Sequence, residues 1–158
     1  MYKLTALEGR RRVLGEEHIA TLTWLNNLGG ILHYMEDYKG ALNYYQQALR
    51  VQEKVLGKTH PDTLRTILNV AITYEDGLKN FEKSEEMYRL ALYGNEKSLG
   101  RDHENAKRCA RGLAVLLQMQ ELQADLQNVL NAYPHIEDNS DWDSDEGGDE
   151  EDEEESSD

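Results

Sequence analysis

One short phrase returns along the chain at a nearly constant interval. Leu-Gly-x-x-His stands at Leu14–His18, Leu56–His60 and Leu99–His103. Successive copies therefore begin 42 and 43 residues apart. A phrase that returns at this period is typical of a repeat array, in which each unit is one supersecondary element stacked on its neighbours. We therefore expect a binding scaffold rather than an enzyme.

Each repeat unit has the pattern of two helices. Between Ala20 and Met35 the apolar residues recur at steps of three and four, which predicts one helix with a single apolar stripe. The same spacing returns after the Glu36-Asp37 break and again in the later units. Pro61 suits the first turn of a helix, where its missing N–H needs no partner. The predicted helices are 20–35, 38–56, 61–74, 81–99, 104–119 and 120–131.

The fold class that follows is an all-α superhelical stack of helix-turn-helix hairpins. We expect a partial repeat with only a second helix at 1–15, full repeats at 16–57 and 58–100, a terminal or capping repeat at 101–134, and a disordered acidic tail at 135–158. Because Met1 enters in the middle of a second helix, this lone helix either caps the array or belongs to a longer chain, and we favour the longer chain. As half a hairpin it leaves an apolar face uncovered, so self-association is expected there.

The charge of the chain is concentrated at its C-terminal end. Fourteen of its 31 acidic residues, and none of its 17 basic residues, lie between Glu137 and Asp158. The preceding residues carry equal numbers of each sign, so the net charge of −14 belongs to the tail. Self-repulsion and few apolar residues predict a disordered polyanion.

With its helices placed, the chain resembles a tetratricopeptide (TPR) array of the kinesin light chain type. The pairs Leu28-Gly29, Val70-Ala71 and Leu113-Ala114 match the Leu-Gly position of the TPR first helix. The lengthened period, the Leu-Gly-x-x-His-Pro link at 56–61 and the Leu25–Leu28 segment resemble the kinesin light chain variant. Because the heptad coiled coil of true light chains is lacking, the resemblance implies a light-chain-like adaptor and not a motor subunit.

The resemblance implies a concave groove lined by the first helices, and it implies protein or peptide partners. Arginine forks and asparagine amides in such a groove suit the carboxylates and backbone of an extended acidic ligand. Thr23/Asn27 and Arg65/Asn69 are i, i+4 pairs on one helix face. The candidate groove residues are Thr23, Asn27, His33, Arg65, Asn69, Arg108 and Arg111.

Other functions are less well supported by the residues. The sequence has no paired catalytic groups, no phosphate loop and no metal-ligand spacing, so we expect no enzyme activity and no cofactor. His18, His60 and His103 recur at one repeat position and are interpreted as turn or cap residues. Cys109, the only cysteine, is interpreted as a small packing residue, and Arg10–Arg12 as a solvated face rather than a nucleic-acid patch.

The acidic tail leaves two further hypotheses open. Ser140–Asp143 resembles the tryptophan-acidic motif read by kinesin light chain grooves, so the tail could occupy the groove of its own chain or be presented to another array. Alternatively, the tail could shield basic proteins such as histones, and the array would then serve only to carry the tail. The sequence contains no membrane-spanning run and no signal-peptide core. A cytoplasmic or nuclear protein without membrane or nucleic-acid partners is expected.

Overall fold

The computed structural model describes residues 18–136, and all of its regular structure in that range is helical. The three predicted hairpins are present, which confirms the all-α repeat fold. Predicted and observed helix ends mostly agree within two residues. The helices are α1 (Ile19–Tyr34), α2 (Tyr38–Val55), α3 (Pro61–Asp76), α4 (Phe81–Leu99), α5 (Glu104–Met119) and α6 (Gln123–Ala132). The predicted partial repeat at 1–15 and nearly all of the predicted tail lie outside the described residues.

Histidine caps begin the first helix of every hairpin. The imidazole Nδ1 atoms of His18, His60 and His103 accept hydrogen bonds from the backbone N–H two residues later, at 3.1, 3.2 and 3.1 Å. Each bond occupies one of the amides that a helix start leaves without a partner. The repeated histidine is therefore a helix cap, as predicted. In the same phrase, Gly57 and Gly100 have φ values of 94° and 88°, a region in which glycine is not strained.

The second helices begin after a residue with left-handed backbone. Glu36, Lys79 and Glu121 have φ values of 61°, 49° and 59°. Asp37 and Asn80 then cap α2 and α4 through their side-chain oxygens. The prediction that the last helix begins at residue 120 was wrong. Residue 120 caps the end of α5 and the left-handed turn follows it, so α6 begins only at Gln123.

The order of helix packing determines which side of the stack is concave. Each helix packs against the next one in the chain, and α1 contacts α3 while α3 contacts α5. Within residues 18–136, the second helices α2, α4 and α6 make no comparable contacts with one another. Because the first helices are closer together than the second helices, the stack curves toward α1, α3 and α5. None of these helices is long and apolar enough to cross a membrane.

Two glycines allow close contact between helices. A Cβ on Gly29 would lie 2.6 Å from the Tyr45 ring, and one on Gly112 would lie 2.3 Å from the Tyr88 ring. Such distances are far inside van der Waals contact, so both rings pack directly on helix backbone. Tyr45 thereby joins α2 to α1 within the first hairpin, whereas Tyr88 joins α4 to α5 across a repeat boundary.

Candidate functional site

Three cavities follow the concave face formed by α1, α3 and α5. The first has a volume of about 540 Å³ and is lined by Asn27, Arg65 and Asn69, among others. The second, between the N-terminal halves of α3 and α5, measures about 240 Å³ and includes Arg65 and Arg108. The third measures about 310 Å³ and includes Arg108 and Arg111. Because Arg65 and Arg108 each line two neighbouring cavities, the three form one path, which we call the groove.

The two shared arginines differ in their charge partners. Arg65 Nη2 lies 3.0 Å from Asp62 Oδ1, one helical turn before it. Among the described residues, Arg108 forms no ion pair, although its side chain is exposed to solvent. A guanidinium without a carboxylate partner retains its full capacity for a bidentate bond to an incoming acid. The second cavity therefore presents Arg108, an arginine with no carboxylate partner among the described residues.

Two carboxylates line the groove near the C-terminal end of α3. The hydroxyl of Tyr88 donates a 2.8 Å hydrogen bond to Glu75 Oε2 in the third cavity, where Asp76 also lies. Burial raises the pKa of the Glu75 carboxyl, and the hydrogen bond from Tyr88 opposes that shift. Burial, followed by the Glu75 charge, raises the pKa of Tyr88. The third cavity thus contains the carboxylates of Glu75 and Asp76 beside two arginines, whereas no carboxylate lines the first cavity.

The remaining predicted groove residues occupy three different environments. Thr23 is exposed on α1, and its hydroxyl donates to its own helix at Ile19 O over 3.0 Å. His33 lines none of the three cavities; its Nε2 lies 3.4 Å from Asp76 Oδ2. Arg111 lines the third cavity, but its Nε donates to the backbone carbonyl of Ile136 at 3.0 Å. Arg111 thus also anchors the last described residue.

A buried polar cluster lies beneath the first cavity. The Thr66 hydroxyl is 2.9 Å from Asn26 Oδ1 and 2.7 Å from Gln52 Oε1. All three side chains are at most 6% exposed. The hydroxyl also lies 3.0 Å from Asp62 O, and its single proton serves one acceptor, so an amide NH₂ completes a further contact when that group is turned. This cluster links α1, α2 and α3 through satisfied polar groups.

The corresponding cluster beneath the second cavity is incomplete. Asn95 is 3% exposed, and its Nδ2 donates to Ala91 O at 2.8 Å and to Cys109 Sγ at 3.6 Å. Its Oδ1 has no hydrogen-bond partner in the described part of the chain. Cys109 is fully buried, which confirms its predicted packing role, and burial raises the pKa of its thiol to about 11.

Sequence comparison identifies the family. A tetratricopeptide repeat model matches residues 1–54 and 23–92, which together exceed half of the chain. The chain belongs to the tetratricopeptide repeat family. TPR units are commonly protein-interaction scaffolds, and this chain has that architecture.

The chain is also similar to parts of two longer proteins. The chain is similar to the human clustered mitochondria protein homolog, at 33% identity over 42% of this chain and 5% of that protein. The Emericella nidulans homolog is 27% identical over 77% of this chain and 10% of its own length. The chain thus spans at most about a tenth of these relatives.

The similar solved structures are kinesin light chain-like TPR proteins. The Podosopora anserina kinesin light chain TPR-like repeat protein has a TM-score of 0.71 and 18% identity, covering 85% of this chain and 63% of that one. BtubC (BKLC) from P. vanneervenii has a TM-score of 0.73 and 16% identity, covering 87% and 53%. At these identities the similarity concerns the fold, and it confirms the kinesin light chain-like TPR architecture.

Some groove residues were not predicted from the sequence. Asn95 and Tyr45 come from second helices, whereas the groove was predicted from first helices alone. Asn95 could have been found by repeat alignment, because it corresponds to the equally polar Gln52. Among residues 18–136, no group of three or more His, Cys, Asp or Glu side chains is arranged to hold a metal ion.

Proposed function

We propose that this TPR array is a non-catalytic scaffold that binds an extended acidic segment of a partner protein in its groove. The main support is that Arg65 and Arg108 each line two adjacent cavities. A ligand that follows the groove therefore meets a guanidinium at each repeat boundary. Such guanidiniums favour carboxylates spaced along an extended chain.

The amides and the charge gradient of the groove support the same ligand. Asn27 and Asn69 line the first cavity, where their donors and acceptors suit a peptide backbone. Glu75 and Asp76 line the far end of the third cavity. Because these carboxylates repel acidic residues, they favour placing the acidic residues of the bound segment in the first and second cavities.

Charge reversal in the groove tests this function. Acidic and basic peptides of equal length would be titrated against the full chain while fluorescence anisotropy is recorded. We expect Arg65→Glu and Arg108→Glu each to weaken acidic-peptide binding by at least about tenfold, because a favourable charge becomes a repulsive one. Arg50→Glu on α2 is the matched control, since Arg50 is exposed and lines none of these cavities. Equal losses in all three variants, or no loss in the groove variants, would contradict groove binding.

A second candidate is a chaperone or shield for basic proteins, such as histones. It is favoured by the fourteen acidic residues of segment 137–158, which contains no basic residue. Binding to such a polyanion depends on long-range attraction and weakens with salt.

Neutralising the tail distinguishes the two candidates. Replacing its Asp and Glu residues with Asn and Gln would abolish binding of a lysine-rich peptide if the tail is the site, and 0.3 M salt would do the same. Binding of an acidic peptide in the groove should instead remain sensitive to Arg108→Glu when the tail is neutral. The neutral-tail chain should therefore keep, or increase, its affinity for acidic peptides under the groove function.

A further inference from the structure

The two repeat boundaries use the same sequence positions with different residues. Gln52 and Asn95 correspond by the 43-residue period, as do Thr66 and Cys109. At the first boundary, Gln52 Oε1 lies 2.7 Å from the Thr66 hydroxyl. At the second boundary, asparagine is one methylene shorter and cysteine provides only a weak sulfur contact at 3.6 Å. The second boundary therefore lacks the polar pairing that completes the first.

The orientation of the Asn95 amide is determined by its surroundings. Its Nδ2 donates to the carbonyl of Ala91 at 2.8 Å, so the opposite atom must be the acceptor Oδ1. This Oδ1 is buried and accepts no hydrogen bond within residues 18–136. A buried acceptor without a donor is unfavourable, because the hydrogen bonds it loses with water are not replaced. Such an atom is therefore a natural contact for a ligand.

Asn95 lines the second cavity of the groove, which we call the junction pocket. Its volume of about 240 Å³ is enclosed partly by the apolar side chains of Leu64 and Leu68. Arg65 and Arg108 also line it, and Arg65 is engaged by Asp62 at 3.0 Å. The pocket thus combines an apolar wall, a buried acceptor and an arginine with no carboxylate partner in the described chain.

These groups call for two different features in the ligand. A carboxylate has only acceptor oxygens, so it suits Arg108 but cannot satisfy Asn95 Oδ1. An uncharged side chain with an N–H or O–H satisfies Asn95 without bringing a charge into the buried end of the pocket. An acid for Arg108 and an uncharged donor for Asn95 can both be supplied by neighbouring residues of one segment.

We propose that the junction pocket holds an uncharged, hydrogen-bond-donating side chain of the acidic segment, and that Asn95 determines this preference. This inference rests on the proposed groove function. Arg108 pairs with a flanking carboxylate, while Asn95 Oδ1 accepts the hydrogen bond from the side chain inserted beside Leu64 and Leu68.

Isosteric guest residues provide the direct test. The probes are fluorescein-labelled peptides of alternating Glu and Gly with one variable residue, the guest, at the centre. A Thr guest is compared with a Val guest, and an Asn guest with a Leu guest. Each pair has a similar shape, and only the first member donates a hydrogen bond. We expect the full chain to bind the donor guest about five times more tightly or better. In Asn95→Leu that ratio should fall to about one, while Arg108→Glu still weakens every acidic probe.

A second variant controls for the possibility that Asn95→Leu loses the preference because it misfolds. Asn95→Gln combined with Cys109→Thr copies the side chains of the first boundary and supplies an internal partner for the amide. This double variant should also lose the preference for donor guests, and circular dichroism would check that both variants remain helical. Retention of the preference in either folded variant would overturn the role of Asn95.

The outcomes separate this inference from the groove function itself. Acidic probes that bind through Arg108 with equal affinities within each isosteric pair would mean that only a water molecule satisfies Asn95. The groove function would then stand and the proposal would fail. Probes that do not bind, or that bind independently of Arg65 and Arg108, would overturn both.

Discussion

The boundary between α1 and α3 and the boundary between α3 and α5 are built from equivalent positions but have different interiors. Thr66 joins Asn26 and Gln52 at the first boundary, and all three are buried. Cys109 and Asn95 occupy the matching positions at the second boundary, where the Asn95 carbonyl has no partner in residues 18–136. Repeats with the same backbone geometry can therefore differ at their boundaries. At one boundary the buried polar groups bond to each other, and at the other a buried polar atom is left without a partner in the described chain and can bond to a ligand.

The largest expected effect comes from breaking the contact within the first hairpin. Gly29→Val would force side-chain atoms into the Tyr45 ring, which lies 2.6 Å from a Cβ at this position. We expect a loss of about 3 kcal/mol in the free energy of unfolding, since both groups are buried. Urea denaturation would measure it. Gly30→Ala is the control, because its Cβ would meet Tyr45 only at 3.6 Å, and it should leave stability unchanged or higher by about 0.5 kcal/mol.

A somewhat smaller effect is expected from opening the polar cluster of the first boundary. Thr66→Val keeps the shape of the side chain but removes the hydroxyl that contacts Asn26 and Gln52. Because buried amide groups then lose a partner, we expect about 2 kcal/mol of destabilisation. Thr23→Val is the control on the exposed face of α1, and it should change the unfolding free energy by less than about 0.5 kcal/mol. Similar effects for both would contradict a special role for the cluster.

Closing the second boundary should have a smaller effect, of the opposite sign. The Asn95→Gln and Cys109→Thr double variant would place the pair found at Gln52 and Thr66 into the junction pocket. We expect stabilisation by about 1 kcal/mol, because the buried acceptor gains an internal partner. In a double-mutant cycle, each single variant should gain less stability than the double variant. If the two single effects add up to the effect of the double variant, that would argue against a new bond between the two side chains.

The smallest effect at neutral pH is expected for Tyr45→Phe, below about 1 kcal/mol. Burial raises the pKa of Tyr45 from 10.0 to about 12, so the unfolded chain loses this proton first as the pH rises. Below about pH 10 the neutral, buried Tyr45 therefore contributes fully to the free energy of unfolding. Between about pH 10 and 12 this contribution is lost, because the unfolded chain releases the proton and the folded chain does not. Urea unfolding at pH 8 and pH 11 should show a larger loss in the wild type than in Tyr45→Phe. Equal losses would mean that the Tyr45 hydroxyl is not held in a buried site.

The repeat period and the helical apolar spacing were sufficient to predict the architecture. Both are local properties of the sequence: the period sets the unit, and steps of three and four set the helix face. The histidine caps were also predictable from the sequence, because a cap acts on backbone amides two residues away. The start of α6 was not, since Leu122 at its N-cap makes no side-chain cap bond, whereas Asp37 and Asn80 cap α2 and α4.

The groove residues were predicted only as a face of aligned positions. That alignment placed Arg65, Asn69 and Arg108 on one face, and they line neighbouring cavities. It could not show that Arg111 contacts the carbonyl of Ile136 or that His33 lies outside these cavities. Those outcomes depend on side-chain directions and on chain segments 25 or more residues away.

By itself, the sequence determined that the chain is a stack of TPR hairpins with arginine and asparagine on its inner helices. Only the tertiary structure decided which polar groups satisfy one another. Gln52 and Asn95 are equivalent and equally polar in the sequence, and both are buried. Yet asparagine is one methylene shorter than glutamine, and a thiol replaces the hydroxyl. As a result, Gln52 Oε1 has a hydrogen-bond partner at 2.7 Å, whereas Asn95 Oδ1 has none among the described residues. Hydrogen bonds depend on tenths of an ångström, whereas periodicity specifies only the face on which a residue lies.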